Sequence, residues 1–164
     1  MDGSSVFTEG ERRLLEALRV RGVRFMVVGL SAAVLQGANT ATRDVDLWFE
    51  DLSDPRIGEA AREVGAIWIT GAFGMRPPQL GGDAVGDRLD VVTHMDGLGP
   101  FAEEESRTRE MVVDGIPLRV LLLERILASK RASGRPKDLA AIPALEEALA
   151  AAEEEDLPPP RTRG

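Results

Sequence analysis

Asp44 and Asp46 stand two residues apart in the run Asp44-Val45-Asp46-Leu47-Trp48-Phe49. In a strand successive side chains point to opposite faces, so the two acids share one face with Trp48 while Val45, Leu47 and Phe49 take the other. Two extended residues separate the carboxylates by about 7 Å at the backbone, so their oxygens can converge on one or two hard cations. Like charges at this range repel and raise each other's pKa. A Mg²⁺ ion removes the conflict, because it takes carboxylate oxygens and leaves room for substrate phosphates. The same acids on a bare strand edge would serve only to discourage aggregation. A calcium loop is excluded: Trp48 stands where the next oxygen ligand would fall, and no glycine occupies the sixth position.

Upstream, the apolar run Phe25 to Val28 ends at Gly29, and a short apolar helix is expected over Ser31 to Leu35, stopping at Gly37. A strand that feeds a helix through a glycine offers free backbone N–H groups and a helix dipole to an anion, and Ser31 adds a hydroxyl. Neither the dinucleotide-binding glycine pattern nor the phosphate loop ending in Gly-Lys-Ser/Thr is present. Downstream, Arg88 to Thr93 reads as a strand in which Asp90, Val92 and His94 share a face. Asp90 is thus either a third carboxylate or a strand-end acid bonding a nearby loop. His94 is the only histidine, so it cannot build a histidine metal site and is read as structural or surface. Lys130, Arg131, Arg135 and Lys137 form the one dense basic patch, and Asp138 sits where a helix dipole alone would explain it.

Thr8 caps a helix running to Arg21, with Glu11 completing a capping box and Leu14, Leu15, Leu18 and Val20 facing inward. Asp54-Pro55 opens a helix through Val64, and Ala66 to Thr70 is strand-like. Gly71 to Gly86, which includes Arg76, is expected to be a long loop, either a substrate lid or merely a mobile insert. A short helix is expected around Phe101. Met111 to Val113 and Leu118 to Leu121 flank Asp114-Gly115, a two-residue hairpin signal. Helices follow over Leu122 to Ser133 and from Pro136 to about Glu153. The division expected is a core over 8–121, a helical extension packed on it over 122–153, and a disordered acidic, proline-rich tail over 154–164.

At 164 residues the chain is large enough for a real core, and 43% hydrophobic with 29% charged residues is ordinary for a soluble domain. The absence of cysteine excludes a disulfide scaffold and any thiolate metal site. No apolar run approaches a membrane span and no signal-peptide pattern opens the chain, so a cytoplasmic location is the expectation. A net charge of −8 argues against a generic nucleic-acid coat.

The segments Val28-Gly29-Leu30-Ser31-Ala32-Ala33 and Thr42-Arg43-Asp44-Val45-Asp46-Leu47 together resemble the signature of the nucleotidyltransferase superfamily of the DNA polymerase β-type fold. In that signature a glycine pair, or glycine-serine, precedes Asp-x-Asp by about a dozen residues. Arg88-Leu89-Asp90 is similar to the strand that supplies its third carboxylate. The stretch Lys130 to Leu139 resembles the C-terminal helix junction of small bacterial nucleotidyltransferase-like proteins, among them the AbiEii-type toxins of toxin–antitoxin systems. The resemblance covers about Leu14 to Leu149. It implies an α+β fold, a mixed sheet flanked by helices with a C-terminal helical pair. It also implies two Mg²⁺ ions held by Asp44, Asp46 and Asp90, and an NTP phosphate tail at the Gly29 turn. Nucleotide contacts would come from Gly29, Ser31, Arg43, Lys130, Lys137 and Asp138, and Trp48 would either pack in the core, the favoured role, or stack on the base. Leu30 is a departure, since the family has a second Gly or Ser there. Two functions follow. One is a metal-dependent transferase moving NMP from NTP to an RNA such as tRNA, a protein or a small molecule, with an antitoxin partner if it is a toxin. The other is an inactive module of the same fold that binds a nucleotide or a partner.

Overall fold

The structure, a computed structural model, describes residues 5–69 and 77–155. The first helix, α1 (Glu9–Val20), begins at Thr8 with the expected reciprocal capping box: the Thr8 hydroxyl accepts from the Glu11 N–H, and the Glu11 carboxylate accepts from the Thr8 N–H. Leu14, Leu15 and Leu18 are fully buried, but Val20 is 68% exposed. Val20 therefore lies off the inward face, which Ala17 completes.

The main sheet has five strands: β1 (Phe25–Val28), β2 (Val45–Phe49), β5 (Leu89–Val92), β6 (Thr108–Val113) and β7 (Ile116–Leu121). Their order is β5-β2-β1-β7-β6. The sheet is mixed: β1 runs antiparallel to β2 and parallel to β7, while β2 runs parallel to β5. All four residues of β1 are buried, as expected for a central strand covered on both faces. The β6–β7 hairpin turns at Asp114-Gly115, both with positive φ, 51° and 81°, which a tight two-residue hairpin turn requires. The Asp114 carboxylate also accepts from the N–H groups of Val6 and Phe7, so the turn anchors the segment leading into α1.

Helix α2 (Gly29–Leu35) joins β1 to the polar link before β2, and begins at Gly29, two residues earlier than expected. Helix α3 (Pro55–Val64) is capped by Asp54, whose side chain accepts from the Arg56 N–H. Part of the expected long loop is instead a strand: β4 (Gln79–Gly81) pairs antiparallel with β3 (Ile67–Ile69). The apolar alternation that marks a strand is hidden there because two of its residues flank a single Leu80, the one buried side chain of the three. Thr70 and the first part of the expected loop, residues 71–76 with Arg76, lie outside the described residues, as do residues 156–164 of the expected tail.

Helix α4 (Phe101–Glu104) continues into a 3₁₀ turn before β6. The chain closes with α5 (Leu123–Ser133) and α6 (Pro136–Glu155), which extends past the expected Glu153 and makes residues 154 and 155 helical. Two buried carboxylates bolt these elements together. Glu11 of α1, with no exposed surface, receives both nitrogens of Arg88 at 2.5 and 3.0 Å. Glu104 of α4 receives Arg125 of α5 at 2.6 and 2.8 Å. Such two-pronged guanidinium pairs combine charge with fixed geometry.

Candidate active site

The three aspartates singled out by spacing meet at one end of the sheet. In the register Asp46 lies beside Asp90 of the parallel neighbour β5 and opposite Val28, the last residue of β1, on its other side. Asp44 immediately precedes β2, and the Val45 N–H donates to the Arg88 carbonyl at 2.7 Å, locking the start of β2 to the start of β5. Adjacent strands lie about 4.8 Å apart, so the parallel pairing places two of the carboxylates side by side.

Gly29 is required here for two reasons. Its φ is +64°, and a Cβ built on it would stand 2.6 Å from Asp46 Oδ2. Only a glycine allows the end of β1 to press this closely on the carboxylate. Ser31 has a different place from the one expected. Its hydroxyl, 7% exposed, donates to the Val28 carbonyl at 2.7 Å, accepts from the Asp46 N–H at 3.0 Å and lies 3.3 Å from Asp46 Oδ2. It stitches the β1–α2 turn to β2 and holds the Asp46 backbone and side chain from behind. Leu30 is half-buried and packs against the core, and no side chain caps the first turn of α2.

The electrostatics of the aspartates follow from this crowding. Burial pushes the Asp46 carboxyl up to about 6, the Asp90 and Asp44 charges push the same way, and the Ser31 hydrogen bond and the Lys130 charge oppose them. Asp90 is raised by burial, by the charge of Asp44 and by a hydrogen bond shared with it, and Lys137 draws it back. Among the described residues no three acidic, histidine or cysteine side chains form a ready-made metal cage. Mg²⁺ is usually held by one or two carboxylates together with substrate phosphates and water. Paired aspartates kept in mutual repulsion, with oxygen donors only, fit such an ion.

Facing Asp46 across a cleft of about 180 Å³ is the junction of α5 and α6; Gly29, Asp46, Asp96, Lys130, Arg135 and Asp138 are among its walls. Lys130 Nζ donates to Asp138 at 3.0 Å, Arg135 Nε donates to it at 2.9 Å, and the Ser133 hydroxyl donates as well. Burial pushes the Asp138 carboxyl up, but these three bonds outweigh it and hold the group well below the usual carboxylate range. Asp138 is thus the buried hub of the junction, which a helix-dipole role does not describe.

The basic patch is mostly spent internally. Lys130 and Arg135 share Asp138, Arg135 also reaches Asp96, and Arg131 pairs with Glu146 at 2.8 Å. Among the described residues Lys137 alone of the four makes no ion pair. Arg43, 77% exposed at its side chain, pairs with Asp87 at 3.1 Å. Trp48 is buried at 4% and meets Phe101 edge to face, with ring centroids 5.8 Å apart, so it is a packing residue and not a base-stacking platform. His94 is at the surface, 3.6 Å from Asp96 on the rim of the cleft. Asp96 carries no sequence signal of its own and joins the site because the Met95–Gly97 turn packs on α5, whereas Ser133, the last residue of α5, joins it through Asp138.

No family model matches this chain, and no curated protein matches it either. Solved structures do. The antibiotic-resistance factor ANT(2″)-Ia in complex with adenylyl-2″-tobramycin superposes with a TM-score of 0.56 at 18% identity, over 88% of this chain and 90% of that one. The lincosamide antibiotic adenylyltransferase LnuA, lincomycin-bound, gives 0.58 at 16% identity over 88% and 99%. The chain has the polymerase β-like nucleotidyltransferase fold. An antigenic nucleotidyltransferase-like protein from Paracoccidioides brasiliensis gives 0.50 at 16% identity over 92% and 90%.

Proposed function

We propose that the protein is a metal-dependent nucleotidyltransferase that moves a nucleoside monophosphate from an NTP to a hydroxyl group of a small molecule. The observation that carries the reading is the union of Asp44, Asp46 and Asp90 at one sheet end with Gly29 pressed against Asp46. Asp44, Asp46 and Asp90 are the residues that would hold Mg²⁺. When bound, it supplies charge neutralisation for the phosphates and polarises the phosphorus under attack.

In the reaction the acceptor hydroxyl gives its proton to the Asp90 carboxylate, its oxygen bonds to the α-phosphorus, the bond from that phosphorus to the bridging oxygen breaks, and pyrophosphate leaves with that electron pair. The chain's own residues position the participants. Ser31 and Gly29 fix Asp46, and Asp90, the most exposed of the three, lies where an acceptor hydroxyl can approach. Lys130 stands at the opposite wall of the cleft, held by Asp138, and with Lys137 supplies positive charge toward the triphosphate. Arg43, close to the carboxylates in the chain, is a further nucleotide contact once it leaves Asp87.

A small acceptor is favoured over RNA because the net charge is −8 and three of the four residues of the basic patch are neutralised by internal carboxylates. Two fold neighbours, ANT(2″)-Ia with adenylyl-2″-tobramycin and the lincosamide antibiotic adenylyltransferase LnuA with lincomycin, point the same way. The test is incubation of the purified protein with each α-labelled NTP, Mg²⁺ and a mixture of small molecules, RNA and protein, beside an Asp44→Asn/Asp46→Asn variant. Label in a small-molecule fraction with the wild type alone is expected. Label in RNA or protein would move the acceptor class and restore the toxin reading. No label with any NTP would leave the inactive binding module, with Leu30 as the first residue to examine.

A further inference from the structure

The cleft against the α5–α6 junction lies beside Asp46. Asp90 opens on a separate groove of about 320 Å³ between β5 and the β3–β4 hairpin. Its walls include Ile67, Ile69, Leu80, Leu89, Asp87 and Asp90. Ile67 and Ile69 are 54% and 46% exposed, whereas Trp68 between them turns to the opposite face and packs on Phe49 with ring centroids 6.3 Å apart. Period-two alternation therefore puts two large aliphatic side chains on the solvent side of β3, beside a candidate catalytic carboxylate. Trp68 is half-buried on the core side of the hairpin, and Ile67 lies against Gly82 while keeping about half of its surface exposed.

We infer that this groove is the acceptor subsite, and that it takes a small hydroxyl-bearing molecule with an apolar face, laid on Ile67 and Ile69 so that the hydroxyl reaches Asp90. The inference rests on the transferase reading above. Three observations fix the occupant. The groove is continuous with the carboxylate site through Asp90, so whatever fills it is within reach of the reacting oxygen. Its volume is that of a small-molecule pocket. Among the described residues its charged groups are Asp87 and Asp90, with Arg43 paired to the former, so they repel a polyanion and accept a neutral or cationic body. Apolar contact with the isoleucines would then set which hydroxylated molecules are used, because removing apolar surface from water is the only strong attraction the groove wall offers.

The test uses alkyl glucosides, which join the same hydroxyl-bearing ring to chains of chosen length. Titration of ¹⁵N-labelled protein with hexyl β-glucoside is expected to shift amides of Ile67 to Ile69, Gln79 to Gly82, Leu89 and Asp90. Glucose itself should bind at least about tenfold more weakly, in line with the loss of the apolar contact. Ile67→Asn/Ile69→Asn should abolish the shifts, and Ile67→Val/Ile69→Val should keep most of them; both pairs sit at exposed positions, and a thermal melt checks the fold. Shifts elsewhere, or shifts indifferent to the asparagine pair, would overturn the inference. In label transfer, yield should rise from methyl to hexyl glucoside with wild type and stay flat with the asparagine pair. Binding in the groove without transfer of any label would sink the transferase reading and leave the apolar pocket standing. Transfer to an acceptor with no dependence on Ile67 or Ile69 would keep the transferase and sink the subsite.

Discussion

At the scale of single residues, the site is defined by how little space surrounds Asp46. Gly29→Ala places a methyl group against the carboxylate and forces an L-residue to a φ of +64°. The variant is expected to lose about 1–3 kcal/mol of stability, from strained backbone, and to lose transfer activity far beyond that. A denaturant melt and a label-transfer assay on the same preparation separate the two losses. Asp46 makes a second prediction, about pH. Its folded-state pKa of about 6 lies above the ordinary 3.8, so the native state resists its ionisation. Without metal, that penalty is absent below about pH 4, grows as pH rises, and is complete above about pH 6. Asp46→Asn should therefore match the wild type in acid and exceed it in stability at pH 7, and added Mg²⁺ should shrink the difference by stabilising only the wild type. Denaturant melts across pH 4 to 8 measure this, and a variant less stable than the wild type at pH 7 would contradict it. Ser31 shows the limit of reading residues one at a time. Its spacing after Gly29 marks it as important, yet spacing cannot distinguish a hydroxyl facing a phosphate from one bound to Val28 and Asp46.

At the scale of elements, the strand carrying Asp90 is fastened from behind. Arg88 lies two residues before Asp90 and grips Glu11, which also closes the capping box of α1. Removing the buried Glu11 leaves Arg88, whose side chain is 32% exposed, without its partner, at a cost of about 1–3 kcal/mol. Glu11→Ala should reach that range in denaturant unfolding, with most of the coupling to Arg88 recovered in a double-mutant cycle with Arg88→Met. Burial raises the Glu11 carboxyl, but the Arg88 and Thr8 bonds outweigh it and set it below the ordinary 4.5. The Glu11 contribution is thus whole above about pH 4.5 and fades as acid approaches the lowered value, so the gap between wild type and variant should narrow there. Sequence made the capping box legible because its partners are three residues apart. The Arg88 bond spans most of the fold and leaves no local trace. The same contrast holds for β4, where three residues with one apolar side chain give too short a pattern, and for Asp138, whose three donors are set by the angle between two helices.

At the scale of the whole molecule, the architecture was readable to a large degree. Strand parity placed Asp44, Asp46 and Asp90, glycine and proline marked the helix limits, and Asp114-Gly115 marked the hairpin. What a linear reading could not supply was the state of the basic patch, because charges counted along the chain say nothing of the carboxylates folded against them. With Lys130, Arg131 and Arg135 already paired, binding to tRNA should be undetectable at physiological salt. A gel-shift or anisotropy titration checks this. Tight binding that is lost in Lys130→Glu/Lys137→Glu would reverse the choice of acceptor class.

The sheet order has one more effect. β5 is an edge strand of four residues whose only partner in the main sheet is β2, whereas Asp46 sits on a strand paired on both sides. Edge backbone opens locally at lower free energy than the centre of a sheet. Warming should therefore part Asp90 from Asp46 while the rest of the fold persists, with amides of β5 exchanging with solvent ahead of those of β1. Catalysis would fade over a temperature range in which circular dichroism still reports a folded protein, and return on cooling.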